Sequence, residues 1–318
     1  MTSIRQREGN EALQLADVRF DADGCTLAGS YVEVSEPVAA ALLITGSGRT
    51  DRNSDVRLPL GQRLRGDITR AIAESLAAAR VSSLRYDKRG VGASRGDYLT
   101  AGMDQRLADA RVARDWLAAK AAGLPLLAVG HSEGTFYAAQ LAADGDVAGA
   151  VLLSGSVHTG REVLDWQTQQ LADRLPGYVR VILRLLRTDA VRSQRKNLAK
   201  ILAAPGDVVR VQGVRMNARW VRDFVACQPA GPLARVTVPL LAITGAHDLQ
   251  VPPEDVNAMG RLVQGPFEGH VLADLSHMLR PDPDCVGPRG YRRQARQPVS
   301  PEVLELITAW VARHWGQP

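Results

Sequence analysis

Cysteine is scarce, with three residues in 318 (Cys25, Cys227 and Cys285), far apart and without CxxC or Cys/His ligand spacing. That excludes a disulfide framework and a zinc site as organising devices, and three free thiols are expected. Aromatic residues amount to 5% of the chain and no nucleic-acid recognition motif accompanies them, so nucleic acid is not an expected partner. No stretch of 18 uncharged apolar residues occurs, and the start "MTSIRQREGNEALQ" lacks the apolar core of an export signal. A soluble cytoplasmic protein without stable membrane insertion is expected. Walker and G-x-G-x-x-G phosphate loops are missing as well.

What is there is a chain with 45% hydrophobic residues, long enough for one large α/β domain with an inserted smaller one. The formal charge of +5 is unevenly spread: between Arg174 and Lys200 eight basic residues face a single acid, Asp189. "LQLADVRF" and "CTLAGSYVEV" alternate with period two around "DADG", which predicts an antiparallel hairpin. From residue 38 the pattern changes to short, nearly continuous apolar runs at 38–45, 81–86, 124–130, 147–155 and 238–245, the signature of strands buried on both faces. Helical patterns at 68–80, 103–122, 135–144 and 301–315 fill most gaps, so the fold class is α/β, a mostly parallel sheet with helices on both faces. Residues 156–237 are too many for a plain crossover. The expected division is a core of 1–155 and 236–318 interrupted by a helical cap, 156–235, lying over the C-terminal edge of the sheet.

The chemistry concentrates where the run "LPLLAVG" meets "HSEGTF". A serine hydroxyl attacks carbonyl carbon only when projected into a site and relieved of its proton by a base. In a G-x-S-x-G turn between strand and helix, Gly130 and Gly134 leave room for the sharp reversal that projects Ser132; the plain alternative is a glycine-bounded turn with an incidental serine. The base and its orienting acid should follow in the order Ser, Asp or Glu, His. Of six histidines, His131 sits in the elbow, His158 opens the insertion, His247 precedes the best acid, His270 lies within the strand pattern "FEGHVLAD" and His314 rides the final helix. His277, in the loop just after the last strand pattern, is the best-placed base. Asp248, reached from the 238–245 run through a glycine-containing turn, is the expected acid, whereas Glu254 and Asp255 read as helix-capping residues. The oxyanion of an acyl-transfer reaction needs backbone donors. The N–H groups of Glu133 and of Ser47, in the glycine-rich loop "LLITGSGRTDRN", are the candidates; a phosphate cradle at Gly46-Ser47-Gly48 is the weaker alternative. Asp87 and Arg89 in "RYDKRGVGASRG" are expected to form a supporting network.

Taken in order, "LLITGSGRTDRN", "SLRYDKRGVGAS", "GHSEG", "NLAKIL", "PLLAITGAHDLQV" and "SHMLRP" make the chain resemble the α/β-hydrolases, and more narrowly the bacterial serine esterases with a Gly-His-Ser-Glu-Gly elbow. The resemblance implies about eight strands, a helical cap between the sixth and seventh, and no cofactor. It carries the nucleophile to Ser132, the acid to Asp248, the base to His277 and the oxyanion donors to Ser47 and Glu133, acting on a small-molecule ester. Peptidase, thioesterase or acyltransferase chemistry with the same residues is the alternative, and a non-catalytic binding module the weaker one. Within "YVRVILRLLRTD", Val179, Ile182, Leu183 and Leu186 form an apolar stripe opposite Arg180, Arg184 and Arg187. It reads as a cap helix over the pocket, with an anionic-lipid contact or a homodimer surface as the alternative.

Overall fold

The computed structural model describes residues 14–57, 62–174 and 189–316. Eight strands form one sheet: β1 (Gln14–Ala22), β2 (Cys25–Glu33), β3 (Ala39–Ile44), β4 (Val81–Tyr86), β5 (Leu126–His131), β6 (Gly149–Leu153), β7 (Leu240–Gly245) and β8 (Phe267–Leu272). Their order is β1-β2-β4-β3-β5-β6-β7-β8. Only β2 runs against its neighbours; every other pairing between adjacent strands from β4 to β8 is parallel. The expected hairpin is β1–β2, turning at Asp23 and Gly24 with both φ angles positive, as a two-residue turn matched to strand twist requires.

The continuous apolar runs are explained by what each face meets. Along β3, Ala40, Leu42 and Ile44 enter one core, shared with α2 (Met103–Lys120) and α3 (Gly134–Ala143), while Ala39, Ala41 and Leu43 enter the other. That second core is closed by α1 (Ile68–Ala78) and by the final helix, whose Trp310 is 1% exposed. With both faces covered, alternation has no physical basis, and none is seen.

Between β6 and β7 the chain forms α4 (Gly160–Asp173), α5 (Ala190–Leu202) and α6 (Ala218–Ala226). It also forms a two-stranded hairpin, Val208–Val211 with Val214–Asn217, that was not expected. Gln212 and Gly213 turn it with φ of 49° and 81°. The insertion is pinned to the core by polar contacts. Asn217 accepts from Trp220 N to cap α6, and its Nδ2 donates to Tyr98 O and Ala101 O at 2.8 Å each. Asp223 accepts from Met103 N, serving the otherwise uncapped start of α2. The amphipathic stripe Val179, Ile182, Leu183 and Leu186, with Arg180, Arg184 and Arg187, lies outside the described residues. No helix among the described residues is long and apolar enough to cross a membrane.

Candidate active site

Ser132 stands at the end of β5 with φ 53°, in the left-handed region, a strained conformation for any side-chain-bearing residue. Its surroundings hold it there. Ser132 N donates to Leu153 O (2.9 Å), and Ser132 O accepts from Thr135 N (3.0 Å) and Thr135 Oγ1 (2.6 Å). A Cβ on Gly130 would fall 2.2 Å from Gly134 O, and one on Gly134 would fall 2.3 Å from Ile44 O. The elbow therefore tolerates no side chain at either glycine, and Thr135, which donates twice to Ser132 O, strengthens the turn.

Asp248 and His277 are brought into direct contact. Asp248 follows β7 and is 1% exposed; its carboxylate oxygens lie 3.0 and 2.8 Å from His277 Nδ1. Gln250 N and Val251 N also donate to Asp248 Oδ1. Burial opposes its charge, but His277 and these donors prevail and hold the carboxyl below the usual range. A carboxylate can only accept, so His277 Nδ1 donates to Asp248, which leaves Nε2 as the ring's acceptor position in that tautomer. The loop bearing His277 is fixed by Arg280, whose buried guanidinium donates to Gln297 O, Met278 O and Gly66 O.

Ser132 is not joined to that pair by a hydrogen bond among the described residues: His277 bonds to Asp248 through Nδ1 and to His131 Nε2 through its carbonyl (2.9 Å). Such contacts commonly close only with substrate. His131 is the neighbour that keeps the two loops together, its ring centroid 5.1 Å from that of His277. Burial, reinforced by the nearby His277, lowers its pKa to about 3, so it works as a neutral donor. Of the remaining histidines, His247 faces Asp282 O, His270 pairs with Glu268 and His314 bonds to Trp310 O. His158 approaches Asp255. Asp255 does open a helix (Asp255–Leu262), yet its carboxylate is used elsewhere, accepting from Ser156 Oγ and Val157 N.

Ser47 is exposed in the loop after β3, and Gly46 packs against the elbow: a Cβ there would meet Ser132 Cβ at 3.1 Å and His131 O at 3.3 Å. Glu133, read from the sequence for its backbone N–H, also has a structural side chain. Its buried carboxylate accepts from Arg106 NH1 (2.8 and 3.1 Å), from Tyr137 Oη (2.5 Å) and from Trp220 Nε1 (3.0 Å). Burial works against the ionised form, but Arg106 and Lys88 outweigh it and lower its pKa. Arg106 lies over the rings of Tyr98 and Trp220. Asp87 and Arg89 are structural as expected, though in separate pairs: Asp87 with Arg52, Arg89 with Asp109.

Ser47, Ser132 and Glu133 line a cavity of about 170 Å³ whose other wall comes from the insertion: Val163, Leu164 and Gln167 of α4, and Trp220 and Phe224 of α6. A second, more apolar chamber of about 150 Å³ adjoins it, sharing Thr135, Phe136 and Ser156 and lined further by Leu107, Ala139, Met259 and Cys227. Burial pushes the Cys227 thiol up to about 11, so it is an apolar wall and not a nucleophile. Among the described residues no His, Cys, Asp and Glu side chains cluster as a metal site requires.

A family model described as "Serine aminopeptidase, S33" matches residues 66–284, well over half of the chain. The chain belongs to this α/β-hydrolase family. The chain is 24% identical to esterase EstD of Thermotoga maritima over 88% of its own length, and spans 63% of the length of that curated relative. Among solved structures it is similar to Est1E from Butyrivibrio proteoclasticus with ferulic acid bound (TM-score 0.59, 18% identity, 93% of this chain and 96% of that one). It is also similar to the α/β hydrolase GrgF from Penicillium sp. sh18 (TM-score 0.62, 17% identity, 96% and 100%). At these identities the likeness is one of fold.

Replacing Glu133 by Gln would leave Arg106 buried without its counter-charge. The expected cost is about 3–5 kcal/mol of unfolding free energy by denaturant titration. Because the folded-state pKa of Glu133 is depressed, its contribution is present above the ordinary glutamate value of 4.5 and is lost as pH falls below it. The acid-side fall in stability should therefore be shallower in Glu133→Gln than in the wild type.

Proposed function

We propose that this protein hydrolyses carboxylic esters through an acyl-enzyme on Ser132. In this reading His277 Nε2 removes the hydroxyl proton as Oγ attacks the acyl carbon. Asp248 fixes the ring's tautomer and stabilises the imidazolium, and the N–H groups of Ser47 and Glu133 receive the oxyanion. The imidazolium then protonates the departing alkoxide, and water, activated by the same base, releases the acid. The observation that carries the reading is the buried Asp248–His277 hydrogen bond beside a serine held at φ 53°. These are the two features a nucleophile elbow and its base must have.

The S33 description raises aminopeptidase chemistry as a second reading. An aminopeptidase needs a carboxylate free to hold the substrate's ammonium group. Among the described residues, Glu133 is the one acidic residue lining the 170 Å³ cavity, and it is already bound by Arg106, Tyr137 and Trp220, while Asp104 at the adjoining chamber is paired with Arg219; this favours the ester. We further read the adjoining apolar chamber as the place for the substrate's hydrocarbon part. Its volume matches that of dry cavities able to take a guest of about benzene size.

Two measurements test this. Ser132→Ala should lower ester turnover by at least about a thousandfold with the fold intact, and ester should outpace matched anilide and thioester in the wild type; near-normal turnover in the variant, or faster anilide cleavage, contradicts the reading. Ala139→Phe should fill the apolar chamber and lower kcat/KM for a hexanoyl ester about tenfold or more relative to an acetyl ester. An unchanged ratio would remove the chamber from the substrate path.

A further inference from the structure

The loop leaving β3 is tied by one buried side chain from another loop. Lys88, two residues beyond β4, donates from Nζ to Gly46 O (2.5 Å), Gly48 O (2.8 Å) and Thr50 Oγ1 (2.7 Å). The Thr50 hydroxyl in turn donates to Gly46 O at 3.0 Å, closing a small ring. An ammonium has three N–H bonds, and here each has an acceptor; a neutral amine has two and would turn a lone pair toward the third oxygen. All three direct partners are uncharged, although a buried ammonium is far better compensated by a carboxylate. The arrangement is therefore expensive for a merely structural contact.

Its geometry shows what it accomplishes. Gly46 C=O and Ser47 N–H belong to one planar peptide unit and, in the trans form, point in opposite directions. A cation bonded to the oxygen fixes the direction of the N–H and draws electron density from the nitrogen, making it a stronger donor. The bond to Gly48 O holds the other side of Ser47, and Gly46 itself packs on Ser132. We propose that Lys88 is a positioning residue for ester hydrolysis, its ammonium orienting and polarising the Gly46–Ser47 peptide so that Ser47 N–H meets the oxyanion. This rests on the reading of Ser47 as an oxyanion donor.

The clamp should be sensitive to pH. Burial brings the Lys88 pKa down to about 7; Glu133 just before α3, Asp51 from the loop after β3 and Asp87 from its own loop raise it, and Arg106 from α2 lowers it. The charged, three-donor form is thus the low-pH form, and kcat should decline as pH rises above about 7.

The test compares wild type, Lys88→Met and Lys88→Arg on a p-nitrophenyl ester from pH 5 to 10. It is accompanied by inhibition with a trifluoromethyl ketone, which forms an oxyanion on the serine, and by circular dichroism. Expected in Lys88→Met are a roughly hundredfold loss of kcat, in the range of losing one oxyanion donor, a KM within threefold, and a parallel loss of affinity for the ketone. Lys88→Arg, which stays charged, should recover part of kcat and lack the alkaline decline. A folded Lys88→Met with near wild-type kcat, or a loss confined to KM, overturns the proposal. If Lys88→Met does not fold, a wild-type kcat that stays level to pH 10 overturns it, as does a decline that persists in Lys88→Arg. A wild type without ester turnover would instead overturn the ester-hydrolase reading, which separates the two failures.

Discussion

Glu133 is a buried anion around which four parts of the chain are organised. It sits one residue after Ser132 and binds Arg106 of α2, Tyr137 one turn along its own helix and Trp220 of the insertion, with Lys88 of the β4 loop close enough to feel its charge. An uncompensated carboxylate at this depth would cost several kcal/mol, and so would an uncompensated Arg106. The elbow and α2 therefore cannot separate without stranding a charge, and moving the insertion away would break the Trp220 hydrogen bond to the same carboxylate. The wall of the cavity contributed by α6 is held in register with the elbow by the same interaction.

Around this anchor, backbone strain and close packing set the direction of Ser132. The left-handed φ is maintained by three backbone-directed hydrogen bonds and by two glycines with no space for a methyl group. On the opposite side, Asp248 settles the tautomer of His277, and His131, neutral at any physiological pH, ties the His277 carbonyl to the elbow. The two sides meet at Gly46, whose lack of a side chain lets the β3 loop rest on Ser132. The direction of Ser132, the Asp248–His277 pair and the resting place of the β3 loop are thus each fixed by contacts within the protein, while the Ser132–His277 contact is left to close.

Strands with both faces buried were legible because their burial removes alternation: the run at 81–86 is β4 residue for residue. The elbow was legible because a local pattern, Gly-x-Ser-x-Gly between strand and helix, encodes it. The hairpin at 208–217 was missed although Gln212-Gly213 is a turn signal, since its four-residue strands are too short for a convincing period. The roles of Lys88, Arg106 and the Glu133 carboxylate had no signature at all. Lys88 grips carbonyls about 40 residues earlier in the chain, and backbone acceptors carry no residue type that a pattern could reveal. Asp255 shows the limit from the other side: helix-starting residues were identified correctly, but only the fold brings Ser156 to that carboxylate.

The central claim is that Ser132 is the atom-bearing residue on which the acyl group is carried. Trapping the acyl-enzyme with a slowly turned-over ester in the intact protein, then locating the added mass by peptide mapping, tests it most directly. A single adduct on the peptide containing Ser132, absent when His277 is replaced by Ala, is the predicted result; an adduct on another residue, or full turnover with no adduct on Ser132, would contradict it.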